Sequence, residues 1–315
     1  MTTATEAPAV KSVSGRPHKS DRSSAENRLG IRLVLPAVVV MLVVTAYPMF
    51  QALYLSLFRY RLTDPDAKEF VGLSNYGTVL TDSLFWKDTW NTVVIMVVTV
   101  AVELVIGFAF AMVMHRIIFG RGVMRTAILI PYGIVTVVSA FAWQFAFSLN
   151  NGFVNSWFHW LPWIAEDTNW FGDHWHAMFA IMVSEIWKTT PFISLLLLAG
   201  LAQVPDVLQE AAKVDGATAW QRLRRVTLPN MKAAIMVAVL FRTLDAFRVF
   251  DSVFVMTAGA NSTETVSFLA YRQTIERVEI GLGSAVSVLL FLSVVLISAL
   301  FIKGFKVDLS QARGE

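Results

Sequence analysis

The chain has 315 residues, 56% hydrophobic and only 16% charged, with a mean hydropathy of +0.58 and a formal net charge of +3. A soluble domain carries roughly 25% charged residues, so this composition belongs in lipid. There is no cysteine, which excludes disulfides, thiol catalysis and thiolate metal sites, and no basic patch with interleaved aromatics that would suit nucleic acid.

Residues 1–28 are rich in Ser, Thr, Ala, Pro and charge, and such a segment is expected to be a disordered tail. The apolar run after it is too long for a secretory signal, and no small-residue cleavage site follows. Leu33 to Phe58 is 26 residues without a charge, against the roughly 20 needed to span a hydrocarbon core. Five more apolar runs follow: Thr89–Met114, Thr126–Leu149, Ala177–Gly200, Pro229–Thr257 and Ile280–Ile302. The spacing predicts an all-α membrane protein with six transmembrane helices and a membrane domain over residues 29–306. A polar loop at 201–228 and a polar tail at 307–315 complete the expected layout.

Six spans place both termini on one side. The tails, the 115–125 loop and the 201–228 loop with its flank hold 17 Lys and Arg, against 6 in the other three loops. The positive-inside rule therefore makes both termini and the 201–228 loop cytoplasmic, although Arg59 and Arg61 lie close to the outer end of span 1.

The stretch from Gln209 to Pro229 is the one long polar segment in the second half of the chain. Pro205 is expected to end span 4. Asp206 with Gln209, and Thr218 with Gln221, read as capping boxes that open two short helices. Asp215-Gly216 is a turn signal between them, and Pro229 suits the first turn of the next helix. On these residues alone the stretch is either a basic loop resting on headgroups or a surface against which another protein docks.

A second signal lies inside the spans. Span 4 carries Glu185 and Lys188; span 5 carries Arg242, Asp245, Arg248 and Asp251, each three residues from the last. That spacing puts neighbours one turn apart on a helix. An ionised group at mid-depth costs about 2.5–3.5 kcal/mol on the insertion scale. The six charges sum to zero, so they form either a lattice that holds spans 4 and 5 together or a polar cavity. Trp143, Trp187 and Phe247 are candidates to line such a cavity and stack on whatever it holds, although each taken singly suits packing or an interface. Glu103 stands alone in span 2. His174 and His176 lack further metal ligands, so no metal site or cofactor is expected. Asn150, Asn151 and Asn155 read as turn residues.

Glu210-Ala211-Ala212-x-x-x-Gly216 followed by Leu228-Pro229 resembles the EAA motif of ABC-importer permeases. The wider pattern is similar to their sugar-permease branch: Phe70-x-Gly72-Leu73-x-Asn75-Tyr76, Pro191-Phe192, Asp215-Gly216-Ala217, Phe247-x-x-Phe250-Asp251 and Gly281-x-Gly283-Ser284-Ala285. The resemblance covers about Leu33 to Lys306. It implies the type I importer permease fold and a translocation subunit that moves a disaccharide, trehalose being the expected sugar, by alternating access across the plasma membrane. It also implies the partners: a second permease, two cytoplasmic ATPase subunits and an extracytoplasmic sugar-binding protein. Glu210, Ala211 and Gly216 would be the ATPase-docking positions. Sugar contacts of the related maltose permeases, placed without gaps, fall near Glu185, Lys188, Thr189, Arg242 and Ala246, and on Tyr132 and Thr136. Those relatives carry neutral residues at several of these places, so the location transfers rather than the side-chain roles. Asp245 joins the set by its depth and spacing.

The chain has no Gly-x-x-x-x-Gly-Lys-[Ser/Thr] run, so ATP hydrolysis is assigned to a partner and the chain is read as a transporter subunit, not an enzyme. The competing readings are an ion-coupled carrier and a membrane-embedded enzyme, each using the intramembrane charges.

Overall fold

The computed structural model describes residues 20–117, 120–161, 164 and 167–304. It divides into two units, residues 1–51 and 52–315. In the first, α1 (Ser20–Met41) passes through a π-turn at Leu42–Ala46 into α2 (Tyr47–Leu55). Pro48 accounts for the wider turn, because a proline ring collides with the carbonyl four residues earlier, here that of Val44. α1 begins at Ser20, within the segment expected to be disordered. Residues 1–19 of that tail, and the tail at 307–315, lie outside the described residues.

The second unit opens on an antiparallel hairpin, β1 (Phe58–Arg61) with β2 (Asp64–Phe70), in register Phe58 to Phe70. α3 (Ser74–Thr81) follows. The Phe70–Tyr76 motif is the clasp for this hairpin. The Asn75 amide donates to the carbonyls of Ser56 and Phe58 at 2.7 and 2.8 Å, and the Tyr76 hydroxyl meets Ser56 Oγ at 2.6 Å.

α4 (Ser83–Arg116) packs along α8 (His174–Leu201), and α12 (Lys232–Ala246) lies against both. The crossing of α4 and α8 depends on Gly107: a Cβ there would stand 2.7 Å from Ile193 Cγ2 and 3.3 Å from the Ser194 nitrogen. Small residues allow helix backbones to approach in this way. Ile193, Leu197, Met231 and Ala238 form the core at one end, and Met178, Ile181, Val253 and Phe268 at the other. α15 (Ile280–Gly304) packs on α3, β1 and α14 (Val266–Tyr271).

Among the described residues four helices are long and apolar enough to cross a membrane: Arg28–Leu55, Ser83–Arg116, His174–Leu201 and Ile280–Lys303. There are six such segments if two bent pairs each count as one span. The third and fifth apolar runs are thus not single helices. The third is α5 (Arg121–Gly133) and α6 (Thr136–Ala146), bent by 89° where Ile134 and Val135 are extended. The second bent pair joins Ala219–Asn230 to Lys232–Ala246 at 70°, so that bend lies at the start of the fifth run, which breaks again further on.

Candidate functional site

The second break in the fifth run lies between α12, which ends at Ala246, and α13 (Asp251–Met256). Residues 247–250 contain neither Pro nor Gly. The N–H groups of Arg248 and Val249 drop back to the carbonyls of Asp245 and Ala246, at 3.1 and 3.2 Å. The Val249 carbonyl accepts a hydrogen bond from Thr265 Oγ1 at 3.0 Å. Unwound backbone survives inside a span where protein groups satisfy it.

One turn before the break, Arg242 is 1% exposed and holds three carboxylates. Its Nε donates to Glu103 Oε2 at 2.6 Å and its Nη2 to Glu103 Oε1 at 3.1 Å. Nη2 also reaches Glu185 Oε2 at 3.3 Å, and Nη1 reaches Asp245 Oδ2 at 2.6 Å. Thr189 Oγ1 lies 2.7 Å from Glu103 Oε1, and Ser252 Oγ donates to Glu185 Oε1. A guanidinium presents five donors in a planar fork, which suits such a shared site. Glu103 is therefore not solitary, as its place in span 2 suggested: it is the buried anchor of Arg242, and it ties α4 to α8 and α12.

Beside this hub is a cavity of about 590 Å³. Tyr132, Thr136, Glu185, Lys188, Thr189, Arg242 and Asp245, the seven residues proposed from the sequence for sugar contact, all line it. Arg248, Val249, Phe250 and Asp251 complete the lining. Arg248 and Asp251 were visible in the sequence as part of the charge ladder; Phe250 was visible only as a motif residue. The Asp245 side chain is 62% exposed, while its partner Arg242 is sealed behind it. Among the described residues Lys188, Arg248 and Asp251 have no ion-pair partner, so both signs of charge remain free at the cavity wall. The Lys188 ammonium sits 5.7 Å from the Tyr132 ring centroid, and that ring stacks on Phe192 at 5.4 Å.

The aromatic assignments change. Trp143 and Trp187 do not line this cavity; they meet edge to face at 5.8 Å on a separate apolar groove. Phe247 is buried in packing, and so is Ala246. Tyr132 and Phe250 are the rings that face the charged cavity.

The polar stretch folds into α9 (Asp206–Val214), α10 (Ala219–Arg222) and, after a π-turn, α11 (Leu228–Asn230). α8 already ends at Leu201, so Pro205 does not terminate it; Pro205 is the residue before α9. The capping box at Thr218 and Gln221 is formed. The one expected at Asp206 and Gln209 is absent, because Asp206 is already helical and the Gln209 amide donates to Thr227 Oγ1 at 2.9 Å. Gly216 closes α9 at φ +75°, a conformation glycine adopts without the penalty of a side chain. Val207, Glu210, Ala211 and Val214 share one face of α9 at i, i+3, i+4 and i+7. All four are exposed, Val214 to 88%.

The remaining candidates are structural. His176 pairs with Asp173, which caps α8 by accepting from the Trp175 and His176 N–H groups. The hydrogen bond from His176 holds the Asp173 carboxyl below the usual carboxylate range. His174 Nδ1 lies 3.2 Å from the Asn261 carbonyl. Asn155 is buried in α7 (Phe153–Phe158) rather than in a turn, with its amide on the Thr168 carbonyl. Among the described residues no three His, Asp or Glu side chains are placed to hold a metal.

Residues 103–305 match the family described as "Binding-protein-dependent transport system inner membrane component". The chain is 49% identical over 281 residues to the trehalose transport system permease protein SugA of Mycobacterium tuberculosis, covering 89% of this chain and 90% of that one. It is 38% identical over 282 residues to the trehalose/maltose transport system permease protein MalF of Thermococcus litoralis, covering 88% and 94%. Its fold is shared with a chain of a bacterial ABC transporter involved in the import of alginate, with a TM-score of 0.76 at 19% identity over 91% and 98%. This chain therefore belongs to the family of binding-protein-dependent transport system inner membrane components, the permease subunits of ABC transporters.

Proposed function

We propose that the chain is the translocation subunit of an ATP-driven importer for a disaccharide, with trehalose as the cargo. The observation that carries this is the placement of the charged cavity at a broken helix, flanked by two rings and by carboxylate, ammonium and guanidinium groups. Such a wall can donate hydrogen bonds to, and accept them from, sugar hydroxyls, and its volume of about 590 Å³ falls in the roughly 300–1,000 Å³ range of small-ligand sites. Trehalose is supported by the names of the relatives SugA and MalF. Tyr132, Thr136, Glu185, Lys188, Thr189, Arg242 and Asp245 are the substrate-facing set. Three of the carboxylates that an ion-coupled carrier or an enzyme would need are bonded to Arg242, which disfavours both alternatives.

The membrane layout is six spans with cytoplasmic termini, α5 with α6 counting as span 3 and α12 with α13 as span 5. α9 is the coupling helix, with Val207, Glu210, Ala211 and Val214 seated on an ATPase and Gly216 turning the chain back. Exposed valines on a polar helix favour a protein partner, since a solvated helix gains nothing from displaying them. A second permease, two ATPase subunits and an extracytoplasmic binding protein complete the assembly, which works by alternating access.

The test is uptake of labelled trehalose into vesicles holding the assembled transporter. Uptake is expected to require ATP and an active ATPase. Undiminished uptake with the ATPase inactivated would overturn the importer reading. Comparison of trehalose, maltose and glycerol phosphate as stimulants of ATP hydrolysis identifies the cargo.

A further inference from the structure

The inner face of α9 borders a second cavity, about 790 Å³, that shares no lining residue with the charged one. It runs from the last turn of α4 to α9 and α10. Four basic side chains line it: His115, Arg116, Lys213 and Arg222. The single acid among its lining residues is Asp206, at the start of α9. Three permanent cations thus face one carboxylate. Among the described residues none of the four makes an ion pair, and Arg222 Nε is shielded from solvent without any hydrogen-bond partner. An unpartnered donor of this kind calls for an acceptor.

The other side of the cavity is apolar. Met112, Val113, Leu201 and Val204 form its floor. Val113 and, two turns back, Val105 are exposed on α4, a helix long and apolar enough to cross the membrane. The floor is therefore continuous with an exposed apolar stretch of that helix. Trp220 lines the rim and is 67% exposed, as aromatic side chains are at the headgroup level of a bilayer. An apolar floor, a cationic rim and a rim tryptophan at the end of a span match one kind of occupant: acyl chain below, phosphate above.

We infer that this cavity binds the phosphate of an anionic phospholipid, with Arg116 on α4 and Arg222 and Lys213 on the polar stretch as its donors. Bound there, one headgroup links the end of a membrane span to the inner face of α9. The lipid sets the position of α9 relative to α4, so on the proposed function it also sets coupling to the ATPase. The binding itself does not rest on that function.

The experiment is native mass spectrometry of the purified transporter exchanged into phosphatidylglycerol or phosphatidylcholine. Phosphatidylglycerol is expected to remain bound to this chain and phosphatidylcholine to leave. Arg116→Gln with Arg222→Gln should weaken retention by about tenfold or more, from roughly a tenfold effect per 1.4 kcal/mol and about 1 kcal/mol per basic residue. Arg116→Lys with Arg222→Lys should keep most of it. If the double Gln variant does not fold, each single Gln substitution is measured for the same loss. Equal retention in wild type and Gln variants overturns the site. Displacement of the lipid by millimolar inorganic phosphate or glycerol phosphate overturns the lipid as occupant and assigns the site to a soluble phosphate. In nanodiscs, ATP hydrolysis should rise with phosphatidylglycerol in wild type only. If no ATPase associates, the function proposed above fails while the lipid measurement stands.

Discussion

Arg242 and Glu103, 139 residues apart in the chain, are joined by two hydrogen bonds, and neither side chain is more than 1% exposed. Removing one partner leaves an uncompensated charge inside the membrane domain, a loss of about 3–5 kcal/mol for buried pairs. Glu103→Ala and Arg242→Ala are therefore both expected to lower the unfolding temperature of the purified protein sharply. Glu103→Gln keeps the volume and one acceptor oxygen and should fall between them and wild type. An Arg242→Ala variant with unchanged thermal unfolding would show that the hub contributes little to the fold.

Asp245 is the better probe of transport, because it touches the same guanidinium from the open side of the cavity. Its carboxylate is 62% exposed and screened by solvent, and asparagine keeps an oxygen that accepts from Arg242. Asp245→Asn should leave unfolding nearly unchanged and reduce sugar uptake several-fold, with the loss visible as a higher sugar concentration at half-maximal uptake. Wild-type uptake in this variant would remove Asp245 from the substrate-facing set.

The exposed valines of α9 lead to a separate expectation. Val207→Asp and Val214→Asp place charge on a largely exposed surface, so the permease should fold and insert normally. Co-purification of the ATPase should fall at least tenfold. Gly216→Val adds a side chain at φ +75° and should cost about 1–2 kcal/mol in the turn, weakening the same association. Retained association in all three variants would show that the ATPase is bound elsewhere.

Acid should loosen the start of α8. The Asp173 carboxyl is held below its ordinary value by His176, so its folded pKa lies below its unfolded one. The stabilisation is complete above the usual aspartate range near pH 4 and is lost as pH falls through the folded value. Unfolding temperature in wild type should thus drop more steeply below about pH 4 than in Asp173→Ala. Parallel curves for the two proteins would rule out this contribution.

The apolar runs were readable because their length alone marks them for lipid. The location of the cavity was readable too, since charges in an apolar run stand out. The breaks were not. Phe247 to Phe250 lacks the Pro and Gly that signal an interruption, and the i+3 spacing of charges continues through it, so the run resembles one helix. Its opening depends on Thr265, from another segment, taking the Val249 carbonyl. Glu103 was obscure for a similar reason: its partner lies on a distant helix. Trp143 and Trp187 show the converse limit, as an aromatic residue near a polar site in sequence can point to the opposite face of its helix.

The link between Gln209 and Thr227 carries one more consequence. It is the clip that fastens α9 to the π-turn leading into α11 and α12. A force applied to the outside of α9 is therefore delivered at Thr227 as well as through the chain ends. On the proposed function α9 is a lever held at its two ends by covalent bonds and at Thr227 by a single hydrogen bond of 2.9 Å. That hydrogen bond can be undone at modest cost, so on the proposed function the stroke is set at a side chain, not along the backbone.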